Sequence, residues 1–268
     1  MERSATHLFA PVGCAALHSP YQEWQMAGTW QQIEIAGKRA QMFDLGRAPR
    51  FGILYLHDFA NTILHDDLHF AELFERYSFA CICPEGKRCW WVDRICAEFD
   101  DVISPERYLL DSVLSEIEAR WSLRPPAIGL LGYEMGGQGA LRMAFKYPQR
   151  FPAVAAITPA IEYHEWYYRD TPIMDMYTSK EQCRQDTAPM HVHPTNFPPH
   201  IYFSCDPAER EWFRGADRLH EKLAALGITH QCDLKTSIGG GWPYFEKMAE
   251  PALRFLSAGL EKESRRLL

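Results

Sequence analysis

Short apolar runs alternate with helical stripes through nearly the whole of this 268-residue chain, and that alternation limits the fold more than any other feature. The runs at 51–56, 79–83, 127–131, 153–157, 200–205 and 229–234 have the length and apolar character of strands, most of them buried on both faces. Between them lie helical patterns. One at 64–77 carries Phe70, Leu73, Phe74 and Tyr77, and one opened by Ser104-Pro105 carries Leu109, Leu110, Val113, Leu114 and Ile117. Others occupy 138–147 and 212–226, the second ended by Gly227, and a last stripe runs Phe245, Met248, Ala249, Ala252, Leu253, Leu256. A hairpin at 29–44, turning at Ala36-Gly37-Lys38, precedes them. The pattern predicts one α/β domain over 1–268, with a core at about 30–260 and a mostly parallel sheet covered by helices on both faces. Residues 158–199, rich in Tyr, Trp, His and Pro, break the alternation and are expected to form a lid over the carboxyl ends of the strands.

Composition removes several classes of function. A 47% hydrophobic content supplies a core, and 24% charged with 13% aromatic residues excludes disorder. Eighteen prolines and seventeen scattered glycines exclude coiled-coil and collagen-like chains. The net charge of −7 argues against nucleic acid as a partner, because phosphate binding needs surplus Lys and Arg. Charges interrupt every apolar run before the ~20 residues that a membrane helix needs. The stretch 8–17 is broken by Pro11 and Gly13 and has no basic leader, so a cytoplasmic location is expected. There the eight cysteines (Cys14, Cys81, Cys83, Cys89, Cys96, Cys183, Cys205, Cys232) would be reduced thiols. None forms a C-x-x-C pair, and Cys81 and Cys83 read as small buried side chains on one strand face.

The chemistry centres on Gly132-Tyr133-Glu134-Met135-Gly136-Gly137, placed between the strand at 127–131 and the helix that follows. Strand, tight small-residue turn and helix, written G-x-S-x-G, make a nucleophile elbow, whose strained backbone leaves no room for flanking side chains. Residues 132–141 resemble the G-x-S-M-G-G-x-G-A-L of the putative-esterase family, which includes esterase D (S-formylglutathione hydrolase) and the mycolyl-transferase antigens. The similarity runs over roughly 30–260 and implies an α/β-hydrolase fold. By the same resemblance, Leu54-Tyr55-Leu56-His57 is the strand before the oxyanion loop, with Asp58 where glycine is usual and Met135 following the elbow residue. Trp90-Trp91 lies where such esterases carry an aromatic pocket loop, so His57, Trp90, Trp91 and Trp242 are expected around substrate. Asp206, with Glu209 and Glu211 as neighbours, falls at the strand end that supplies the triad acid. Gly239-Gly240-Gly241-Trp242-Pro243-Tyr244-Phe245 resembles the closing segment, where family members read G-G-H-x-W or G-x-D-H-S-x-x-F.

The departures carry the functional reading. Glu134 stands where the family has its serine, and Gly240 or Gly241 where it has its histidine. No histidine occurs after His230. Loss of either group in a Ser–His site costs about 10⁶ in turnover. Carboxylates at Glu134 and Asp58 would also have the wrong sign for stabilising an oxyanion. An elbow carboxylate can act as a nucleophile, as in haloalkane dehalogenases and epoxide hydrolases, but water must then be activated by a histidine that this segment lacks. A metal site from His191, His193 and Glu134 competes with a plain polar loop. A Glu134–Asp58 acid/base pair is a further alternative. His164, His191 or His193 of the lid could instead supply the base. Trp90, Trp91, Trp166, Tyr167, Tyr168 and Trp242 either line one cleft or pack the lid. Arg214, Arg218 and Lys222 read as a solvated helix face.

The expectation is a pseudoenzyme that needs no cofactor or metal and binds a small, ester-like molecule or a partner in the former catalytic cleft, with homo-oligomer formation left open. The alternatives are an active ester hydrolase centred on Glu134, or an inert remnant. The protonation of Glu134 discriminates: paired with a cation it would titrate low, and desolvated without one it would titrate high.

Overall fold

The structure is a computed structural model and describes residues 28–266. The 8–17 stretch and Cys14 lie outside the described residues. The chain opens on the hairpin β1 (Thr29–Ile35) and β2 (Lys38–Asp44), whose turn residues Ala36 and Gly37 both have positive φ. Then come β3 (Phe51–Leu56), α1 (Leu68–Tyr77) and β4 (Phe79–Pro84). A helical rod follows, made of α2 (Pro105–Tyr108), a π-helical turn (Leu109–Val113) and α3 (Leu114–Trp121). Next are β5 (Ile128–Tyr133), α4 (Met135–Lys146) and β6 (Ala153–Ile157). The excursion carries a 3-10 turn (Tyr163–Trp166), α5 (Ile173–Met176), α6 (Lys180–Gln185) and a second 3-10 turn (Ala188–His191). The chain closes with β7 (His200–Ser204), α7 (Phe213–Ala225), β8 (Gln231–Asp233) and α8 (Gly241–Arg266).

Among the described residues these strands form one sheet in the order β1-β2-β4-β3-β5-β6-β7-β8. The pairs β1–β2 and β2–β4 are antiparallel and all others parallel. Every residue of β3, β4, β5 and β6 is buried, as parallel strands sandwiched between helices must be. The two-residue period divides them: Leu54 and Leu56 join the core beneath α4, whereas Ile53 and Tyr55 join the one beneath α1 and α8. Helix α4 lies hard against the sheet, and its glycines permit this. A Cβ on Gly136 would fall 1.9 Å from the carbonyl oxygen of Leu56, and one on Gly132 would fall 2.1 Å from that of Gly136.

The expected elements are present, with local differences. Helix α1 starts at Leu68 rather than 64, because the Asp67 side chain caps it by accepting from the N–H of Phe70. Ser104 caps α2 as expected, accepting from Arg107 N–H, but the rod contains a π turn that hydrophobic spacing does not reveal. Helix α4 begins at Met135, three residues before the expected 138, since the glycine-rich stretch is already helical. Arg214 and Arg218 on α7 are exposed, as expected of a solvated face, and from there both bind the carboxylate of Glu162, while the half-buried Lys222 donates to the carbonyl of Pro189.

Candidate functional site

Glu134 occupies the single residue between β5 and α4, at φ 49° and ψ −110°. Non-glycine residues rarely adopt that left-handed φ. The backbone around it is fully engaged. Its N–H donates to Ile157 C=O at 3.0 Å, and its C=O accepts from Gln138 at 3.1 Å and Ala160 at 2.9 Å. The absence of Cβ atoms at Gly132 and Gly136 lets the turn close this tightly.

The half-buried carboxylate has two recorded partners. Phe59 N–H, in the loop after β3, donates to Oε2 at 3.3 Å, and the indole N–H of Trp212 donates to Oε1 at 3.2 Å. Both donors are neutral. Burial, aided by the charges of Asp58 and Glu209, outweighs them and lifts the carboxyl from 4.5 to about 6. The high value is the one expected of a carboxyl desolvated without a cation.

The sequence-predicted residues disperse around this point. Asp58 is buried, and both its oxygens turn to Thr62, accepting its N–H at 2.7 Å and its hydroxyl at 2.7 Å. Its charge reaches Glu134, but its side chain caps its own loop, so no Glu134–Asp58 hydrogen-bonded pair forms. Met135 is buried, with its sulfur accepting from Trp90 N–H at 3.2 Å. His57 is fully buried: Gly86 N–H donates to Nε2 at 2.8 Å, which places the ring proton on Nδ1, donated to Asp58 C=O at 2.6 Å. Burial lowers its pKa, and with both nitrogens used the neutral ring supports the loop rather than facing a ligand. Trp91 lies beneath it, its indole N–H on His57 C=O at 3.1 Å and its side chain against Gly139.

Asp206 is enclosed. Oδ1 accepts from Ala208 N–H and the Ser237 hydroxyl, and Oδ2 from the N–H groups of Ile238, Gly239 and Gly240, all within 3.0 Å. These donors overcome burial and hold the carboxyl far below the usual range. Instead of orienting a base, Asp206 fastens the loop in which Gly239, Gly240 and Gly241 all have positive φ. A Cβ on Gly240 would point at Glu209, 3.2 Å from Oε2. Glu211 is spent on the excursion at 158–199, accepting from the Trp166 indole and pairing with Arg169, both at 2.6 Å.

The histidines of the excursion are engaged elsewhere: His164 lies beside Glu165, His191 on Asp186 and His193 on Thr195. None has a recorded contact with Glu134, so the His191–His193–Glu134 set is not assembled. The expected aromatic group also divides. Trp90 and Trp166 pack 5.8 Å apart, together with two rings that sequence reasoning missed, Phe59 and Trp212. Trp242 instead packs on Phe245 and Tyr133 in the other core. Tyr167 is buried against Tyr177 C=O, and Tyr168 is exposed. Trp212 precedes a helix and Phe59 follows the Asp58 loop, and position after a strand end is the one signal that could have flagged them.

Beyond the indoles of Trp166 and Trp212 lies an open cleft of about 500 Å³, which Arg169, Arg210 and Arg214 also line. Trp212 therefore belongs both to this cleft and to the Glu134 site.

With that geometry in view, comparisons place the chain among known proteins. The family model described as "Putative esterase" matches residues 97–246. No curated protein matches the sequence. Among solved structures, an S-formylglutathione hydrolase from Agrobacterium tumefaciens is 14% identical with a TM-score of 0.68, over 88% of this chain and 97% of that one. FphF, a fluorophosphonate-binding serine hydrolase of Staphylococcus aureus, is 13% identical with a TM-score of 0.68, over 86% and 98%. MPT51 of Mycobacterium tuberculosis is 12% identical with a TM-score of 0.67, again over 86% and 98%. At these identities the likeness is one of fold, that of the α/β-hydrolases.

Proposed function

Since this chain belongs to the putative-esterase family, we propose that it is a member without Ser–His ester turnover, whose former catalytic cleft binds a ligand through Glu134. The observation that carries this reading is the contact between Phe59 N–H and Glu134 Oε2. An N–H from the loop after β3 is one of the two donors an α/β-hydrolase aims at its oxyanion. Here a carboxylate of the same chain already takes it. A second negative charge developing there would meet repulsion instead of a waiting donor.

The ligand class follows from the charge balance. Glu134 is a desolvated anion with neutral donors only, next to the linked rings of Phe59, Trp90, Trp166 and Trp212. Two of these rings already hold a cation: Arg88 lies 5.5 Å from the centre of Phe59 and Arg169 4.8 Å from that of Trp166. An ammonium group on an organic ligand would pair with the carboxylate and gain cation–π attraction from the rings. Binding would pull the Glu134 pKa down from about 6.

One observation favours a second reading. A carboxyl titrating at about 6 suits a general base, which an ester hydrolase centred on Glu134 would need. Hydrolysis of short p-nitrophenyl esters by wild type and Glu134→Ala separates the two, with tryptophan fluorescence followed during titration with alkylammonium ions. No turnover in either protein, with a saturable fluorescence change only in wild type, supports binding. Turnover abolished by Glu134→Ala would overturn the binding reading in favour of the hydrolase.

A further inference from the structure

A second convergence of reactive side chains lies where α7 meets the sheet edge. His220 sits on α7, His230 just before β8, and Cys232 within β8, which pairs with β7 on one side. Nδ1 of His220 is 2.8 Å from Nε2 of His230, and Sγ of Cys232 is 3.4 Å from the same Nδ1. All three donor atoms fall within 4.8 Å of one another, and all three residues are half-buried.

The proton positions can be read from the partners. Nδ1 of His230 lies 2.8 Å from the carbonyl oxygen of Ile228. A carbonyl only accepts, so Nδ1 carries the proton and Nε2 presents a lone pair toward the cluster. His220 must then donate its own Nδ1 proton to that lone pair. An imidazole whose remote N–H is held by a backbone carbonyl is the arrangement of metal-ligating histidines. The ring plane of His230 is also fixed, stacked on Phe203 at 5.8 Å and 8°.

The spacing fits a tetrahedral ion. With Zn–N near 2.0–2.1 Å and Zn–S near 2.3 Å, the ligand edges of a tetrahedron are about 3.3 Å for N–N and about 3.6 Å for N–S. The two edges at His220 Nδ1, 2.8 Å to His230 Nε2 and 3.4 Å to Cys232 Sγ, are shorter than these by no more than about half an ångström, and the third lies within 4.8 Å, so side-chain rotation can bring the three onto one ion. Two imidazoles and a thiolate form a borderline-soft set that suits Zn²⁺ and disfavours Mg²⁺ or Ca²⁺.

We propose that His220, His230 and Cys232 form a Zn²⁺ site that staples α7 to the edge strand β8 and leaves the fourth position to an exchangeable ligand. On binding, the Cys232 thiol releases its proton to solvent as the Zn–S bond forms. His220 keeps its proton count by holding it on Nε2 while Nδ1 turns to the metal. No electron is transferred.

Co²⁺ added to chelator-treated protein tests the assignment spectroscopically, independently of Glu134. The expected result is one Co²⁺ per chain, with a thiolate-to-cobalt charge-transfer band and tetrahedral d–d bands that one equivalent of Zn²⁺ abolishes. Cys232→Ser should lose the charge-transfer band while keeping the wild-type circular dichroism. His230→Asn should weaken Co²⁺ binding by more than about tenfold. Absence of the band in wild type, or its persistence in Cys232→Ser, would overturn the site.

Discussion

The indole N–H of Trp212 donates to Oε1 of Glu134 across 3.2 Å, so the residue before α7 and the turn before α4 share one half-buried charge. That charge has no cationic partner among the described residues, and the contact is therefore both a restraint and a source of instability.

Glu134 should make stability fall as pH rises. Its carboxyl binds its proton more tightly in the folded chain, at about 6 against 4.5. The resulting stabilisation is complete below about 4.5 and is lost as pH rises through 6, leaving an ionised group that costs about 2 kcal/mol. Glu134→Gln should be more stable than wild type by about 1–2 kcal/mol at pH 7.5, with the difference closing at pH 4.5. Calorimetric Tm values across that range decide it; parallel curves for the two proteins would refute the prediction.

Asp206 should act in the opposite direction. Five donors hold its folded pKa below 3.8, so its contribution is present above 3.8 and fades as pH falls toward the folded value. Asp206→Ala leaves those donors to find water and should cost about 3 kcal/mol in urea unfolding. Asp206→Asn keeps one acceptor and should cost less. Faster amide exchange at 238–240 in both variants would accompany the loss.

Arg142 is the buried counterpart. Its guanidinium binds Glu106 and, at 2.5 Å, Oδ1 of Asp186, with Arg142 and Glu106 almost wholly sequestered from solvent. Arg142→Met removes the cation that Glu106 and Asp186 share; Glu106 keeps Lys146 and Tyr147, and Asp186 keeps Tyr177 and His191, so the loss should cost about 3 kcal/mol. Glu106→Gln weakens the same Arg142–Glu106 pair, so the double variant should be less destabilised than the two single losses summed.

Two glycine substitutions should differ sharply. Gly136→Ala drives a methyl into the Leu56 carbonyl and should yield no folded protein in soluble expression. At Gly37 φ is positive but the space is open, so Gly37→Ala should cost only about 1–2 kcal/mol of left-handed strain.

What could be read from the sequence follows the range of the interactions involved. Strand and helix alternation, the hairpin at 29–44 and the glycine-rich turn at Glu134 are local patterns, and the structure has them in place. The burial of Asp206 among 237–240, the His57 tautomer and the union of Phe59, Trp166 and Trp212 depend on residues far apart in the chain, which periodicity does not register. The π turn at Leu109–Val113 is a one-residue insertion in helical winding that leaves the apolar stripe intact. The approach of His220, His230 and Cys232 was not legible either, because it depends on how α7 packs against the chain entering β8.

The ties across the excursion have a dynamic consequence. It is bound at Asp186 by Arg142, at Glu162 by Arg214 and Arg218, and at Pro189 by Lys222, so both its beginning and its end are anchored to elements that pack on the sheet. A segment held in this way has no inexpensive hinge. Its amides should exchange with those of α4 and α7 as a single foldon, rather than opening independently of them.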